Sequence, residues 1–389
     1  MALRPSLLVA LLCSAAAWQW ADGGRLSGGV ARAQPIRMLA TTRKPGKAGG
    51  ARSRARSGRG GSKAKKVVLL PEVPPSPPGT ALTEPVYERL TDWLISEGAN
   101  LANVAIADFG GLRGVMATRS IAPGEEVIAI PASCALDLGV QGADPVPAAL
   151  RMLAQREMEE GTEREAYYAT LPPPDSSDLC TPDFFSEKEL QMLQWPPLIV
   201  DVRKRSAAVR KVLGGTAPSG DTPISQLAIA GGRMREVRWA VWLIQSRVLT
   251  VLGPDGEGHK LLIPFIDMFN HRASSKHYLT GRTDGMLRVV AGAPISVGDQ
   301  IEIVYGTSDT SNAEFLGHYG FVDPAAAAAD EAMLKAHPEA KPMLLQTSIE
   351  EDEALLAAEP PQNEALALQF RLAMKRALSR SGASVGFGR

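Results

Sequence analysis

The sequence predicts an α+β fold: a β-rich unit interrupted by a helical insertion and followed by a short α-helical C-terminal domain. Three observations carry this. Over 101–138, Val104, Ile106, Val115, Ile121, Val127, Ile128 and Ile130 are separated by turn residues at Asp108–Gly111 and Pro123–Gly124, the mark of short strands. Residues 144–252 instead place apolar residues three and four apart, the helical period. Strand-like runs return at 260–304, and 326–389 is helical and rich in Ala and Glu.

The elements follow in chain order. Residues 1–17 read as a signal peptide, with Arg4 as the positive end, Leu7 to Leu12 as the apolar run and Ala15 to Ala17 as a small-residue exit. That run is too short to span a membrane, so no integral span is expected. Residues 36–66 are rich in Arg, Lys, Gly, Ser and Ala and hold no acid, the composition of a transit peptide. A 1–66 leader of signal plus transit-like segment, disordered, points to import into a plastid stroma; secretion with a basic arm, or a nuclear signal, are the other readings. A Pro-rich linker (67–84) follows, in which no helix continues, and folded structure is expected from about Glu84.

Residues 85–99 suit a short amphipathic helix, with Pro85 in its first turn, Leu90, Trp93 and Leu94 on one face, and Gly98 at its end. Within the insertion, about 140–255, the segments 151–160, 185–194, 202–213 and 234–249 are helical. Ser186 and Glu189 form a capping box for the second of these. The segments KLLIPFIDMF, MLRVVAGAPI and DQIEIVY are read as the returning strands.

The net charge of zero hides a segregation. Of 42 Lys and Arg, 14 lie in residues 1–66 beside a single acid, Asp22; that leaves 28 basic against 41 acidic residues in the body, a net of −13. Such a body does not grip nucleic acid through a general basic surface, and a basic protein segment is its more natural partner. The three cysteines, Cys13, Cys134 and Cys180, are too scattered for a zinc site, and no metal is expected. Reduced thiols are the reading for the last two, with a Cys134–Cys180 disulfide as the alternative.

The chemistry sits in Pro264-Phe-Ile-Asp267-Met-Phe-Asn270-His271, then Ile303-Val-Tyr305-Gly306, Ser311-Asn312-Ala313-Glu314-Phe315 and Tyr319-Gly320-Phe321. Singly, each suits a structural turn or core residue. In this order they resemble the SET-domain protein methyltransferases. The stretch from Gly111 through Gly114-Val115-Met116 to Ile121, the turn Pro123-Gly124-Glu125, the helix from Trp239 to Ser246-Arg247, Tyr168 through Leu171-Pro172 and Phe185 to Leu190 support the match, which covers about 85–324. The resemblance is to the branch of the RuBisCO large-subunit lysine methyltransferase and the actin-histidine methyltransferase. It implies a SET fold over 85–324 and a shortened substrate-binding-like helical tail over 325–389.

The resemblance also implies roles. Gly114, Val115 and Met116 would lie against S-adenosyl-L-methionine. Arg247 would hold its carboxylate, Asn270 and His271 its polar groups, and Tyr319 its adenosine. Tyr305 would be catalytic and also contact the substrate, beside Val251 and Asp267; a purely structural role for Asp267 is equally open. Pairing of His271 with His277 on a metal lacks further ligands. In-line methyl transfer needs alignment, which a phenol and backbone carbonyls supply, and an incoming lysine must first lose a proton. Leu249, two residues after Arg247, lacks the polar group that the histidine-modifying relative carries there, which favours lysine. Two departures from the family stand out: the long Gly306–Thr310 loop and the missing post-SET cysteine cluster. The expected partner is a lysine-containing protein, with the RuBisCO large subunit or aldolase suggested by the family, and the chain is expected to be a monomer. The alternatives are a protein-histidine methyltransferase and a SET-like binding module without catalysis.

Overall fold

A computed structural model of the chain describes residues 77–140, 142, 144–214, 233–253, 256–281 and 284–380. The basic leader, with Cys13, and the linker up to residue 76 lie outside the described residues. The strands form three small sheets. The first has the order β1-β2-β3-β11-β8 and joins β1 (Thr80–Ala81), β2 (Val104–Asp108), β3 (Arg113–Ala117), β11 (Gln300–Ile303) and β8 (Asn270–His271). The second is β4-β10-β9, from β4 (Glu126–Pro131), β9 (Tyr278–Gly281) and β10 (Met286–Val290). The third is β5-β7-β6, from β5 (Leu136–Val140), β6 (Leu249–Leu252) and β7 (Gly258–Leu262).

Two boundaries in the β-rich region differ from the sequence expectation. Thr80 and Ala81 already pair with Asp108 and Ala107, so the fold begins inside the stretch expected to be linker. A segment too rich in Pro and Gly for a helix can still supply a short edge strand. The run from Lys260 to Phe269, expected as one strand, breaks after Leu262: Phe265 takes φ 70° and Ile266–Met268 form one 3-10 turn. A buried phenylalanine in that left-handed region is held there only by its surroundings, as strained residues beside functional sites often are.

Helix α1 (Pro85–Ser96) starts on its proline and buries Leu90, Trp93 and Leu94. The insertion supplies α2 (Val146–Met158), α3 (Glu165–Thr170), α4 (Glu187–Met192), α5 (Pro196–Leu213) and α6 (Met234–Arg247). The Ser186–Glu189 capping box is formed at the start of α4. The helix expected over 234–249 stops at Arg247, where β-branched Val248 turns extended and the chain enters β6. The C-terminal part holds α7 (Asn312–Tyr319), α8 (Ala327–Ala336), α9 (Lys341–Leu344), α10 (Ile349–Ala357) and α11 (Gln362–Arg380). No helix among the described residues is long and apolar enough to cross a membrane.

Two apolar cores result. One gathers the three sheets, α1, α2, α3 and α6. The other joins Phe185, Trp195, Leu198 and Val202 of the insertion to Leu316 of α7 and to Leu334, Phe370 and Met374 of the tail. The tail therefore shares its core with the second half of the insertion. Cys134 and Cys180 are free thiols.

The tail is closed by a buried charge cluster. Asp352 on α10, with no exposed surface, accepts hydrogen bonds from Arg371 and Lys375 of α11, the latter at 2.7 Å. Lys375 also donates to the Thr347 carbonyl (2.5 Å) and hydroxyl (2.7 Å), which ties the start of α10 to α11. Asp352→Ala strands two buried cations, and breaking a buried pair this way costs about 3–5 kcal/mol. Thermal unfolding of that variant is expected well below the wild-type Tm; an unchanged Tm would show that these charges carry no stability.

Candidate functional site

The site is built where β8 lies parallel to β11, with Asn270 opposite Glu302 and His271 opposite Ile303. Parallel strands need a long crossover, and here the crossover runs through β9 and β10. The pairing brings Tyr305, two residues past β11, onto the asparagine–histidine turn. The Tyr305 backbone N–H donates to His271 Nδ1 (2.9 Å), and the Tyr305 hydroxyl donates to the carbonyl of Phe269. His271 Nε2 in turn bonds Asp323 Oδ2 at 3.0 Å. Asn270 donates its side-chain amide to the carbonyl of Arg113 (2.8 Å), locking β8 to the end of β3.

Above this floor is a cavity of about 750 Å³, in the size range of small-molecule sites. Arg247, Asp267, Asn270, His271, Tyr305 and Tyr319 all line it. Its other walls come from Gly111–Arg113, from Thr170–Pro173 after α3, from Trp242 and Ser246, and from Phe321. Tyr305 and Tyr319 have ring centroids 4.8 Å apart, and Phe321 stacks near His271 at 5.5 Å. Helix α7 aims these rings. Its Ser311–Glu314 capping box fixes the start, and Gly320 at φ 80° ends it. A side chain at Gly320 would also collide with Cys180 Sγ, 2.6 Å from an ideal Cβ.

Arg247 closes the other side. Its Nη1 donates to the Asp267 carbonyl (2.9 Å) and approaches Asp267 Oδ2 (3.4 Å), and that carboxylate also accepts from the Tyr167 hydroxyl at 3.1 Å. The Asp267 side chain is 1% exposed and Arg247 15%. Three buried polar atoms here have no protein partner: Arg247 Nε, Asp267 Oδ1 and the Trp242 indole nitrogen. Buried polar groups are normally satisfied, so two donors and an acceptor left over beside a cavity fit a polar ligand. A guanidinium suits a carboxylate, and the Tyr305, Tyr319 and Phe321 rings suit a flat heterocycle.

Burial pushes the Tyr305 phenol well above its ordinary range; Asp267 and Glu302 add to the rise and Arg247 opposes it. Burial likewise raises Tyr319, with Tyr305 and Glu314 adding to it. Both rings therefore stay protonated at neutral pH. Burial alone would raise Asp323, but its bonds from His271 and from the Ala325 N–H outweigh that and hold the carboxyl below the usual range.

Four residues expected at the site do not line this cavity: Gly114, Val115, Met116 and Val251. Val115 is fully buried in the core, and Met116 lies beside Gly79 under the N-terminal edge strand. The cavity wall is instead Gly111–Arg113, one step earlier along the hairpin. Gly114 lies behind that wall: an ideal Cβ there would be 2.5 Å from Gln300 Nε2 and 2.9 Å from the Asn270 amide. Val251, 1% exposed, turns into the apolar core opposite His259 and away from the cavity. Strand alternation sends the Val115 and Val251 side chains to the core face, while Met116 points to the opposite face of β3 from Val115. Sequence reading passed over Arg113, whose Nη1 donates to the Thr170 carbonyl (2.5 Å), as well as Tyr167, Trp242 and Asp323. Of these, Arg113 and Trp242 stood within quoted motifs. Among the described residues no cluster of His, Cys, Asp or Glu could hold a metal ion.

No family model matches the chain. Among curated proteins it is similar to an actin-histidine N-methyltransferase of Mus musculus, 27% identical over 264 residues, covering 61% of this chain and 42% of that protein. The Drosophila melanogaster protein of the same name is 25% identical over 288 residues, covering 66% of this chain and 52% of its own length. The chain thus spans about half the length or less of the curated relatives it matches. Among solved structures it resembles the SET domain of LSMT bound to lysine and AdoHcy, with a TM-score of 0.58 at 17% identity over 76% of this chain and 90% of that one. It also resembles Rubisco LSMT bound to AdoMet, with a TM-score of 0.58 at 17% identity over 77% and 91%. The chain has the SET fold, and its likenesses fall in the branch that its motifs resemble.

Gly114→Ala is expected to push the Asn270 amide off the Arg113 carbonyl. Overpacking of this kind costs about 1–3 kcal/mol. Denaturant unfolding measures it, and a variant as stable as wild type would show that Gln300 yields freely.

Proposed function

We propose that the protein is an S-adenosylmethionine-dependent protein-lysine N-methyltransferase. The observation that carries this is the convergence of Tyr305, the Phe269 carbonyl and the Asn270–His271 turn at the floor of a cavity whose wall holds an unsatisfied arginine. When bound, S-adenosylmethionine supplies an electrophilic methyl group on a sulfonium. Arg247 is the group to hold its carboxylate, and Tyr319 and Phe321 are the rings to lie beside its adenine. Asn270, His271 and the backbone of Gly111–Arg113 complete that surface.

Tyr305 works by position. Its proton is committed to the Phe269 carbonyl, so the hydroxyl oxygen keeps lone pairs for an incoming N–H. Burial raises its pKa, so the phenol stays protonated at neutral pH and is not the base that deprotonates the amine, which must arrive already neutral. A free lysine has a pKa of ~10.4, and an apolar, partly enclosed channel favours its neutral form. Asp267 braces Arg247 through both its carbonyl and its carboxylate, and its free Oδ1 is a further acceptor toward the target.

Lysine is favoured over histidine because Leu249, two residues after Arg247, is a buried apolar residue and offers an imidazole nitrogen no partner. The histidine reading draws on the names of the curated relatives. The net −13 body suits a basic target segment. The leader composition supports action in a plastid, on a stromal protein such as the RuBisCO large subunit or aldolase.

Tyr305→Phe is expected to lower kcat about 100-fold with cofactor affinity, read by calorimetry, little changed. A variant with full turnover would sink the assignment. In the wild type, kcat/KM is expected to rise from pH 7 to 9 as the target amine loses its proton, with no fall from Tyr305 ionisation. A rate that declines above pH 8 on stable enzyme would contradict it. Labelled cofactor with hypomethylated plastid extract, followed by mass spectrometry of the labelled band, identifies the modified residue; a methylated imidazole would replace lysine with histidine.

A further inference from the structure

Asp323 lies outside the cavity lining, two residues past Phe321, yet its carboxylate is 9% exposed and meets an imidazole that is 8% exposed. Which imidazole nitrogen carries the proton follows from the bonds around it. The Tyr305 backbone N–H can only donate, so His271 Nδ1, 2.9 Å away, must be the acceptor. Nε2 then bears the hydrogen and needs an acceptor, which Asp323 Oδ2 provides at 3.0 Å. Both carboxylate oxygens are used, because Oδ1 accepts from the Ala325 N–H at 2.9 Å.

The Asp323 backbone is itself held from the tail side. The Asp323 N–H donates to Asn312 Oδ1 (2.7 Å), and the Asn312 amide donates to the Asp323 carbonyl (3.1 Å) and to Asp330 Oδ2 on α8 (2.7 Å). A continuous chain of hydrogen bonds thus runs from α8 to the Tyr305 backbone.

We propose that Asp323 is a positioning residue: it fixes His271 as the Nε2–H tautomer and, through Nδ1, holds the backbone of Tyr305 so that the phenol stands at one place in the cavity. The catalytic half of this rests on the methyltransferase reading. The reversed tautomer would set an Nδ1–H against the Tyr305 N–H at 2.9 Å, two donors facing each other, and that strand end would have to move. An asparagine at 323 has one acceptor oxygen for two donors, so it loses either the Ala325 bond or the imidazole bond.

The test uses the full chain with 15N-labelled histidine. Long-range 15N–1H correlation distinguishes a protonated from an unprotonated ring nitrogen, and His271 is assigned among the five histidines by the signal lost in His271→Asn. Expected is an unprotonated Nδ1 and a protonated Nε2 in the wild type. In Asp323→Asn that pattern should give way to a mixture, with kcat about 10- to 100-fold lower and the cofactor dissociation constant within twofold. A wild-type His271 protonated at Nδ1, or an Asp323→Asn protein with unchanged His271 signals or unchanged kcat, overturns the proposal. If Asp323→Asn fails to fold, a wild-type His271 protonated at Nδ1 still overturns the proposal. If the chain methylates no protein, the functional reading falls, and the nitrogen pattern in the two proteins still decides the tautomer.

Discussion

Two residues of parallel strand hold the site in one piece. Asn270 and His271 lie against Glu302 and Ile303, and every other feature of the cavity floor is placed relative to that ladder. So short a pairing has little stability of its own. It persists because His271 sits in an aromatic cluster with Phe315 and Phe321, and because both of its ring nitrogens are hydrogen-bonded. The asparagine side chain adds the third tie, to the carbonyl of Arg113 on another strand. Segments more than 150 residues apart in sequence thereby share one surface.

The polar groups of the site divide by how completely they are satisfied. Around His271 each donor meets an acceptor, which suits a part that must not move. Around Arg247 the pairing is incomplete: Nη1 is used, while Nε and the facing Asp267 oxygen are left over. Leaving such groups unpaired costs stability, and the cost is understandable where a charged ligand is to be gripped. Asp267 therefore acts within the site as a brace for the arginine and an anchor for Tyr167.

The tail and the insertion form one packing unit, although 325–389 follows the β-rich region in sequence. Phe370 and Met374 of α11 share a core with Trp195 and Leu198 of the insertion, and the buried Asp352–Arg371–Lys375 cluster fastens the tail's own helices. Gln362, at the start of α11, reaches the rim of the cavity. A short tail can still shape the mouth of the site, because it is mounted on helices that already flank it.

By itself the sequence determined the local chemistry: helices on Pro85 and on the Ser186–Glu189 box, short strands between turn glycines, and the identity of Arg247, Asn270, His271, Tyr305 and Tyr319 as the residues to watch. The helices and strands follow from periodicity and capping, which act over a few residues and can be read along a line, and the site residues from the resemblance that their motifs carry in order. Only the tertiary structure decided which faces of those elements look inward. It turned Val115 and Val251 into the core, moved the cavity wall to Gly111–Arg113, and brought in Trp242, Tyr167 and Asp323 from positions that no spacing rule marks. The reason is physical. A strand flips its side chains to opposite faces at every residue, so one step of register exchanges core for cavity. A buried carboxylate finds its partner by proximity in space, and the distance along the chain carries no trace of it.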